Sequence, residues 1–192
     1  PVTAEDVKYS IDRAVLIGDP DGPAPILLIH ILGAVDYLYC EDCWQNTNQA
    51  AVDAYLNAGG VKVIDPLTVQ ITLDAPYSPF LSTMAFTVAS VVKKATVEAN
   101  GGLTPGFYND WMNQHGTEVG SGPFKLVEWT PKQRVVVERN ENYWGTAPKL
   151  ARVIINEVDE VGTRELALFA GDADVITLPA TNLFDVIDKD KW

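Results

Sequence analysis

The sequence is short of cysteine, histidine, positive charge and long apolar runs, and each shortage narrows what the chain can do. Only 2 of its 192 residues are cysteine and 2 are histidine. Lys and Arg number 14 against 26 Asp and Glu, a net charge of −12. No tract of Lys and Arg concentrates the positive charge that phosphate neutralisation requires, so a nucleic-acid-binding surface is argued against. The longest apolar stretch, Pro25 to Val35, is about half of the ~20 residues a membrane span needs, and it contains His30. No basic amphipathic helix offers a membrane-surface anchor.

Catalytic signatures are equally scarce. The glycine-rich segments lack a P-loop lysine, and no G-x-G-x-x-G opens a helix after a strand. Ser121 lies between Gly120 and Gly122, but Pro123 follows where a nucleophile elbow would turn into a helix. His115 stands six residues before Ser121 with nothing to fix the pair in hydrogen-bond geometry, and reads as a solvated loop residue. His30 reads as a core or pocket-wall side chain. Carboxylate pairs such as Glu41/Asp42 and Asp159/Glu160 are adjacent in sequence and point different ways, which makes a shared acid–base site a poor reading. Asp19, Asp21 and Gly22 echo a calcium loop without its downstream Glu, and a capped turn explains them better. No catalytic residue, metal site or cofactor is assigned.

Cys40 and Cys43 enclose Glu41 and Asp42. A local disulfide leads among the readings and free thiols come next. A redox pair is disfavoured because the two acids raise thiol pKa values, and zinc lacks two further ligands.

What is present is the composition of a folded chain: 47% hydrophobic and 21% charged residues. At this length a globular chain buries roughly 70% of its unfolded surface. Thr3 as N-cap with Asp6 at N3 forms a capping box, and Val7, Ile11, Ala14 and Val15 make one apolar helical stripe, closed at Gly18. Pro25 to Tyr39 reads as a buried helix. Asn46 to Asn57 reads as a shorter one stopped by Gly59-Gly60. Val61–Ile64 and Thr68–Leu73 flank a turn at Asp65-Pro66, a hairpin with one buried face. A helix is expected from Leu81 to about Ala89, with Pro79 in its first turn, and a short strand or helix start in Val91 to Asn100. An aromatic-bearing loop with Phe107, Tyr108 and Trp111 follows. From Pro123 the texture changes: strands at Phe124–Trp129, Gln133–Arg139 and Leu150–Val158, a helix at Gly162–Ala170 stopped by Gly171, a fourth strand at Asp174–Leu178, and a last helix from about Asn182. A helix-rich part before a strand-rich one gives an α+β class with mixed pairing.

Five blocks in this order carry a family resemblance. Thr3 to Ala14, Val63 to Leu73 with Pro76 and Ser78–Leu81, Gly120 to Trp129, Arg139 to Gly145, and Leu168 to Val175 each resemble a block of the family 5 extracellular solute-binding proteins. These are the oligopeptide, dipeptide and nickel receptors of ABC importers. Ser121 stands where the family usually has Thr. The resemblance implies part of a two-lobed periplasmic-binding-protein type II fold. Residues 1–119 would be a helix-rich subdomain inserted in the first lobe, and residues 120–192 a strand-rich portion of that lobe, with the second lobe absent. It also explains a start at Pro1 without a signal peptide, since the chain would be an internal piece of an exported protein.

The implied function is to capture a peptide-like solute in the periplasm or at the outer face of the membrane and deliver it to an ABC permease, with no chemistry. Membrane association would arise only through the permease or a lipid anchor outside this chain. Receptors for a sugar, a nickel chelate or another small solute are alternatives, as is a sensory or interaction domain without transport. An enzyme using cleft carboxylates is the competing class, and it lacks a nucleophile–base spacing. The motif residues Thr3, Asp6, Gly120, Gly122, Pro123, Asn140, Tyr143, Trp144, Gly171 and Asp174 read as scaffold. Gly120 and Gly122 would take backbone angles closed to other residues, Tyr143 and Trp144 would bury their rings on the sheet, and Asp174 would end a turn before a strand. Ligand contacts are not placed; the family's main ligand anchors would belong to the missing lobe.

Overall fold

A computed structural model describes residues 1–114 and 120–187. His115 and the Asp188–Lys191 tail fall outside these residues. The order begins with α1 (Ala4–Ile17), α2 (Ala24–Leu27), α3 (Ala34–Leu38), α4 (Gln49–Ala58), β1 (Val61–Asp65) and β2 (Thr68–Ile71). Then come α5 (Phe80–Thr83), α6 (Lys94–Glu98), β3 (Phe124–Thr130), β4 (Arg134–Arg139), β5 (Arg152–Asn156), α7 (Val161–Ala170) and α8 (Leu183–Ile187).

Helix α1 is the axis of the first part. Its capping box is complete: Asp6 N–H donates to Thr3 Oγ1, and Thr3 N–H donates to Asp6 Oδ2 at 2.9 Å. Gly18 ends the helix at φ 70°, a left-handed cap that glycine adopts without a Cβ penalty. Ile11, Val15 and Leu16 are buried against Leu28, Ile31, Tyr37, Leu38, Val52, Tyr55 and Val61. Burial of such side chains contributes roughly 1.5–3 kcal/mol each, so this cluster dominates the stability of the fold. Among the described residues, Val136 and Val186 are the only buried apolar side chains beyond residue 100.

The segment Pro25–Tyr39 is not one helix. It splits into α2 and α3 because Ile31 bridges to Leu73 and Leu32 N–H donates to Thr72 O at 2.9 Å, which draws the backbone onto the hairpin. Gly33, at φ 86°, then turns the chain into α3. A Cβ there would sit 2.6 Å from that of Ala58, so the close approach also needs glycine. Helix α4, expected from Asn46, begins later at the N-cap Asn48, and it closes at Gly59, the expected glycine stop. The hairpin β1–β2 is antiparallel with an irregularity between Val63 and Asp65.

Leu81–Ala89 likewise divides, into α5 and a 3-10 turn at Thr87–Ala89, and Val91–Asn100 resolves as α6 preceded by irregular chain. The second sheet runs β3-β4-β5, all antiparallel, with a bulge between Leu126 and Glu128 that leaves Val127 half exposed. Helix α7 ends at Gly171 with φ 77°. The expected strand at Asp174–Leu178 does not form: no strand partner lies beside it among the described residues, and Val175 is 85% exposed. Asp174 accordingly sits in a bend that no strand follows. No helix is long and apolar enough to cross a membrane among the described residues.

Candidate functional site

Asp6 shows how α1 prepares a cleft. Its carboxylate is buried and accepts from Thr3 N–H, Thr3 Oγ1–H and, through Oδ1, Lys94 N–H at 2.9 Å. Burial alone would push this carboxyl up, but the hydrogen bonds from Thr3 and Lys94 and the charge of Lys93 outweigh it and hold the pKa below the ordinary value. Ser10, one turn later, donates to Asp6 O and accepts Val92 N–H at 2.9 Å. These bonds fasten the chain at 92–94 along α1, across more than eighty residues of sequence.

The fastened segment forms one wall of an open cleft of about 290 Å³. Val2, Val91 and Val92 give it an apolar side; Lys93, Thr96 and Ser121 give it polar groups, with Gly120 at its rim. Lys93 Nζ lies 3.8 Å from Asp6 Oδ2 and donates to Pro1 O at 3.3 Å. Apolar walls with few polar groups suit the capture of a small solute, and among the described residues of the cleft no nucleophile is paired with a base. Two blocks read from the sequence, one at Asp6 and one at Gly120-Ser121, meet in this cleft. Val91, Val92 and Lys93 were not singled out from the sequence. Their only local signal is a short apolar run before two lysines, which does not reveal that Ser10 holds it.

The other motif residues assemble a separate brace. Asn140, 8% exposed, donates through Nδ2 to Gly122 O at 2.9 Å and through its backbone N–H to Pro123 O at 2.8 Å, while its Oδ1 accepts from Asn142 N–H. Asn140 thereby clamps the entry to β3 against the exit from β4. Gly122 does not adopt a positive φ, so the backbone constraint expected there is not found, and an added Cβ at Gly120 would meet nothing within 4 Å. Tyr143 packs 5.2 Å from the ring of Trp144, but Trp144 is 80% exposed rather than buried on the sheet. At Gly145, which follows it, an added Cβ would strike the Tyr143 ring at 2.8 Å. Gly171 and Asp174 lie apart from both groups, after α7.

Cys40 and Cys43 are joined by a disulfide, with Cys43 buried in the main core. Beside it Trp44 meets Tyr108 edge-on at 5.6 Å, and Tyr108 Oη donates to Asp19. That hydrogen bond, then burial and the Asp19 charge, push the Tyr108 phenol up to about 12. Asp19 Oδ1 also accepts Asp21 N–H at 2.9 Å, so this acidic segment is a side-chain-capped turn. His30 is half exposed, with its ring 3.9 Å from that of Tyr77 and Nδ1 3.6 Å from Asp74 Oδ1, at the surface rather than in the core. No group of three His, Cys, Asp or Glu side chains among the described residues could hold a metal ion.

Comparison with known proteins places this geometry. A profile described as "Bacterial extracellular solute-binding proteins, family 5 Middle" matches residues 1–191. The probable D,D-dipeptide-binding periplasmic protein DdpA of Escherichia coli is 30% identical over 184 residues, 95% of this chain and 29% of that protein. The periplasmic oligopeptide-binding protein OppA of Escherichia coli is 31% identical over 164 residues, 82% of this chain and 25% of that protein. Among solved structures, Listeria monocytogenes OppA bound to peptide superposes with a TM-score of 0.74 at 24% identity, covering 99% of this chain and 34% of that one. The chain therefore spans about a quarter to a third of the length of the relatives it matches.

Proposed function

Because the chain belongs to the family 5 bacterial extracellular solute-binding proteins, we propose that it is part of the receptor of an ABC importer, one that captures a peptide-like solute and hands it to a membrane permease. The observation that carries this reading is the cleft at which Asp6 and Gly120-Ser121, more than a hundred residues apart, come together beside Lys93. Its apolar wall accommodates side chains of varied shape, and its few polar groups orient rather than react. The solute is bound and released with no bond made or broken.

The division of labour within the receptor follows the packing. Residues 1–119 serve as a helix-rich subdomain built on α1 and inserted in the first lobe. Residues 120–192 belong to the strand-rich body of that lobe, and the opposing lobe lies in polypeptide outside this chain. The concentration of buried apolar side chains before residue 100 supports this division. Closure of the two lobes about the solute creates the surface that the permease reads. Such a receptor works in the periplasm or at the outer face of the membrane. The names of its relatives, dipeptide- and oligopeptide-binding, favour peptides as the solute class.

Native mass spectrometry of the full-length receptor, before and after denaturation, tests the proposal. A set of released masses separated by amino-acid residue masses is the expected result. One discrete non-peptide mass, such as a sugar or a nickel chelate, overturns the peptide assignment. Turnover of a peptide added to the receptor overturns the absence of chemistry.

A further inference from the structure

Tyr9 and Arg13 stand one turn apart on α1, so their side chains share a face of that helix. The later chain is fastened to α1 at two points on either side of Arg13. Val92 N–H donates to Ser10 Oγ at 2.9 Å, and Gly106 N–H donates to Leu16 O at 2.8 Å. The second fastening brings in Tyr108, two residues on. Gln45 N–H, which donates to Gly106 O at 2.9 Å, brings in Trp44, whose ring meets Tyr108 edge-on.

Two polar groups on this face have nothing to donate to. The Tyr9 hydroxyl is buried and has no hydrogen-bond partner among the described residues. The Arg13 guanidinium is half-buried and makes neither an ion pair nor a hydrogen bond among them. Arg139 and Arg164 are half-buried too, but each is answered: Arg139 by Glu141 and Pro148 O, Arg164 by Val158 O and Asp159 O. Burial pulls the Arg13 guanidinium below its ordinary value, although the Tyr9 and Tyr108 phenols oppose this. Burial also pushes the Tyr9 phenol up, against the Arg13 charge. A covered cation and a covered hydroxyl both cost free energy until an acceptor reaches them.

The guanidinium only donates, in a planar fork that matches two oxygens of one anion. The borders of the face decide which anion. Asp19 accepts from Tyr108, and the charge of Glu98 reaches Tyr9. One guanidinium neutralises a carboxylate, but it leaves a phosphate with charge uncompensated beside these two acids.

We propose that this face of α1 is a carboxylate-binding site, in which the Arg13 fork takes the two carboxylate oxygens, the Tyr9 hydroxyl donates to one of them, and Trp44 and Tyr108 form an aromatic wall. None of these residues lines the cleft at Asp6 and Ser121, so the site is additional to the solute cleft and stands or falls separately from it.

Nuclear magnetic resonance of the full-length receptor, with nitrogen-15-labelled arginine, tests this. The Nε–H signal of Arg13 is identified by its loss in Arg13→Met and in Arg13→Lys, and N-acetylglycinate is titrated in at constant ionic strength. A saturable shift of that signal is expected, with none from the neutral N-acetylglycinamide. Tyr9→Phe should weaken the binding about tenfold, the effect of one hydrogen bond to a charged group. Because neither side chain has a partner to lose, Tyr9→Phe and Arg13→Met should leave the thermal midpoint of the ligand-free receptor no lower than wild type. No saturable shift, or unchanged affinity in Tyr9→Phe, overturns the site. Midpoints lowered by both substitutions assign the pair to the scaffold and also overturn it. An equal shift from the amide, or tighter binding of inorganic phosphate, overturns the carboxylate assignment. Peptide carriage, followed by native mass spectrometry in Arg13→Met, should match wild type, and its loss would merge this site with the solute cleft and overturn their separation.

Discussion

Asp12 and Tyr55, 43 residues apart, are joined inside the core: Tyr55 Oη donates to Asp12 Oδ1 at 2.9 Å. Asp12 is 7% exposed and Tyr55 2%, and Lys8 holds the other carboxylate oxygen from one turn earlier on α1. Burial, followed by the Asp12 charge and the hydrogen bond itself, pushes the Tyr55 phenol far above its ordinary range. The phenol stays protonated and the bond locks α4 onto α1. Tyr55→Phe strands a buried carboxylate oxygen and is expected to cost about 1–3 kcal/mol in urea unfolding. A double-mutant cycle with Asp12→Ala should return a coupling of at least about 0.5 kcal/mol; additivity would show that the bond carries no energy.

Asp6 gives the fold an acid-sensitive joint. Its carboxyl is held below the ordinary value, so it stabilises the folded chain at pH above its unfolded pKa of about 4. That stabilisation is lost as pH falls through the lower, folded value. Asp6→Asn should lower the urea midpoint at neutral pH and flatten the acid limb of the stability profile below about pH 4. Thr3→Ala, which removes the reciprocal partner, should cost about 1 kcal/mol with less change in pH dependence.

Two glycines with similar φ separate backbone strain from crowding. Gly171 (φ 77°) has nothing within 4 Å of an added Cβ, so Gly171→Ala should cost only the left-handed penalty of about 1–2 kcal/mol. At Gly106 (φ 84°) the same Cβ would lie 2.3 Å from Asn46 O and 2.4 Å from Cys43 O, both backbone atoms. Gly106→Ala should therefore add a further 1–3 kcal/mol or so of overpacking, measured as the difference in unfolding free energy. Equal losses at the two sites would contradict the contact geometry.

The Cys40–Cys43 bond closes a loop of four residues, for which chain entropy gives about 2 kcal/mol of stabilisation. Reduction should lower the urea midpoint accordingly. Because Cys43 is buried and Cys40 is not, Cys43→Ser should cost more than Cys40→Ser. Equal losses would show that only loop closure matters.

Signals written within one turn of chain were legible before any tertiary structure. The capping box at Thr3 and Asp6, the glycine stops at Gly18, Gly59 and Gly171 and the alternation along Thr68–Leu73 each depend on neighbours a few residues away, and the structure has the cap, the stops and the hairpin at those places. The family resemblance was legible for a related reason, since its blocks are made of those local signals in a fixed order.

Tertiary contacts decided the rest. Pro25–Tyr39 has the apolar content of a helix, but Ile31 gains a partner in Leu73, and a bridge across about forty residues outweighs local propensity. The cleft depends on Ser10 accepting from Val92 and Asp6 from Lys94, pairings that no periodicity encodes. Val175–Leu178 shows the limit from the other side: β-branched side chains specify a strand only where another backbone supplies its hydrogen bonds. By itself the sequence determined helix ends, hairpin register signals and family; the tertiary structure decided which polar groups met, because hydrogen-bond partners distant in sequence are chosen by packing.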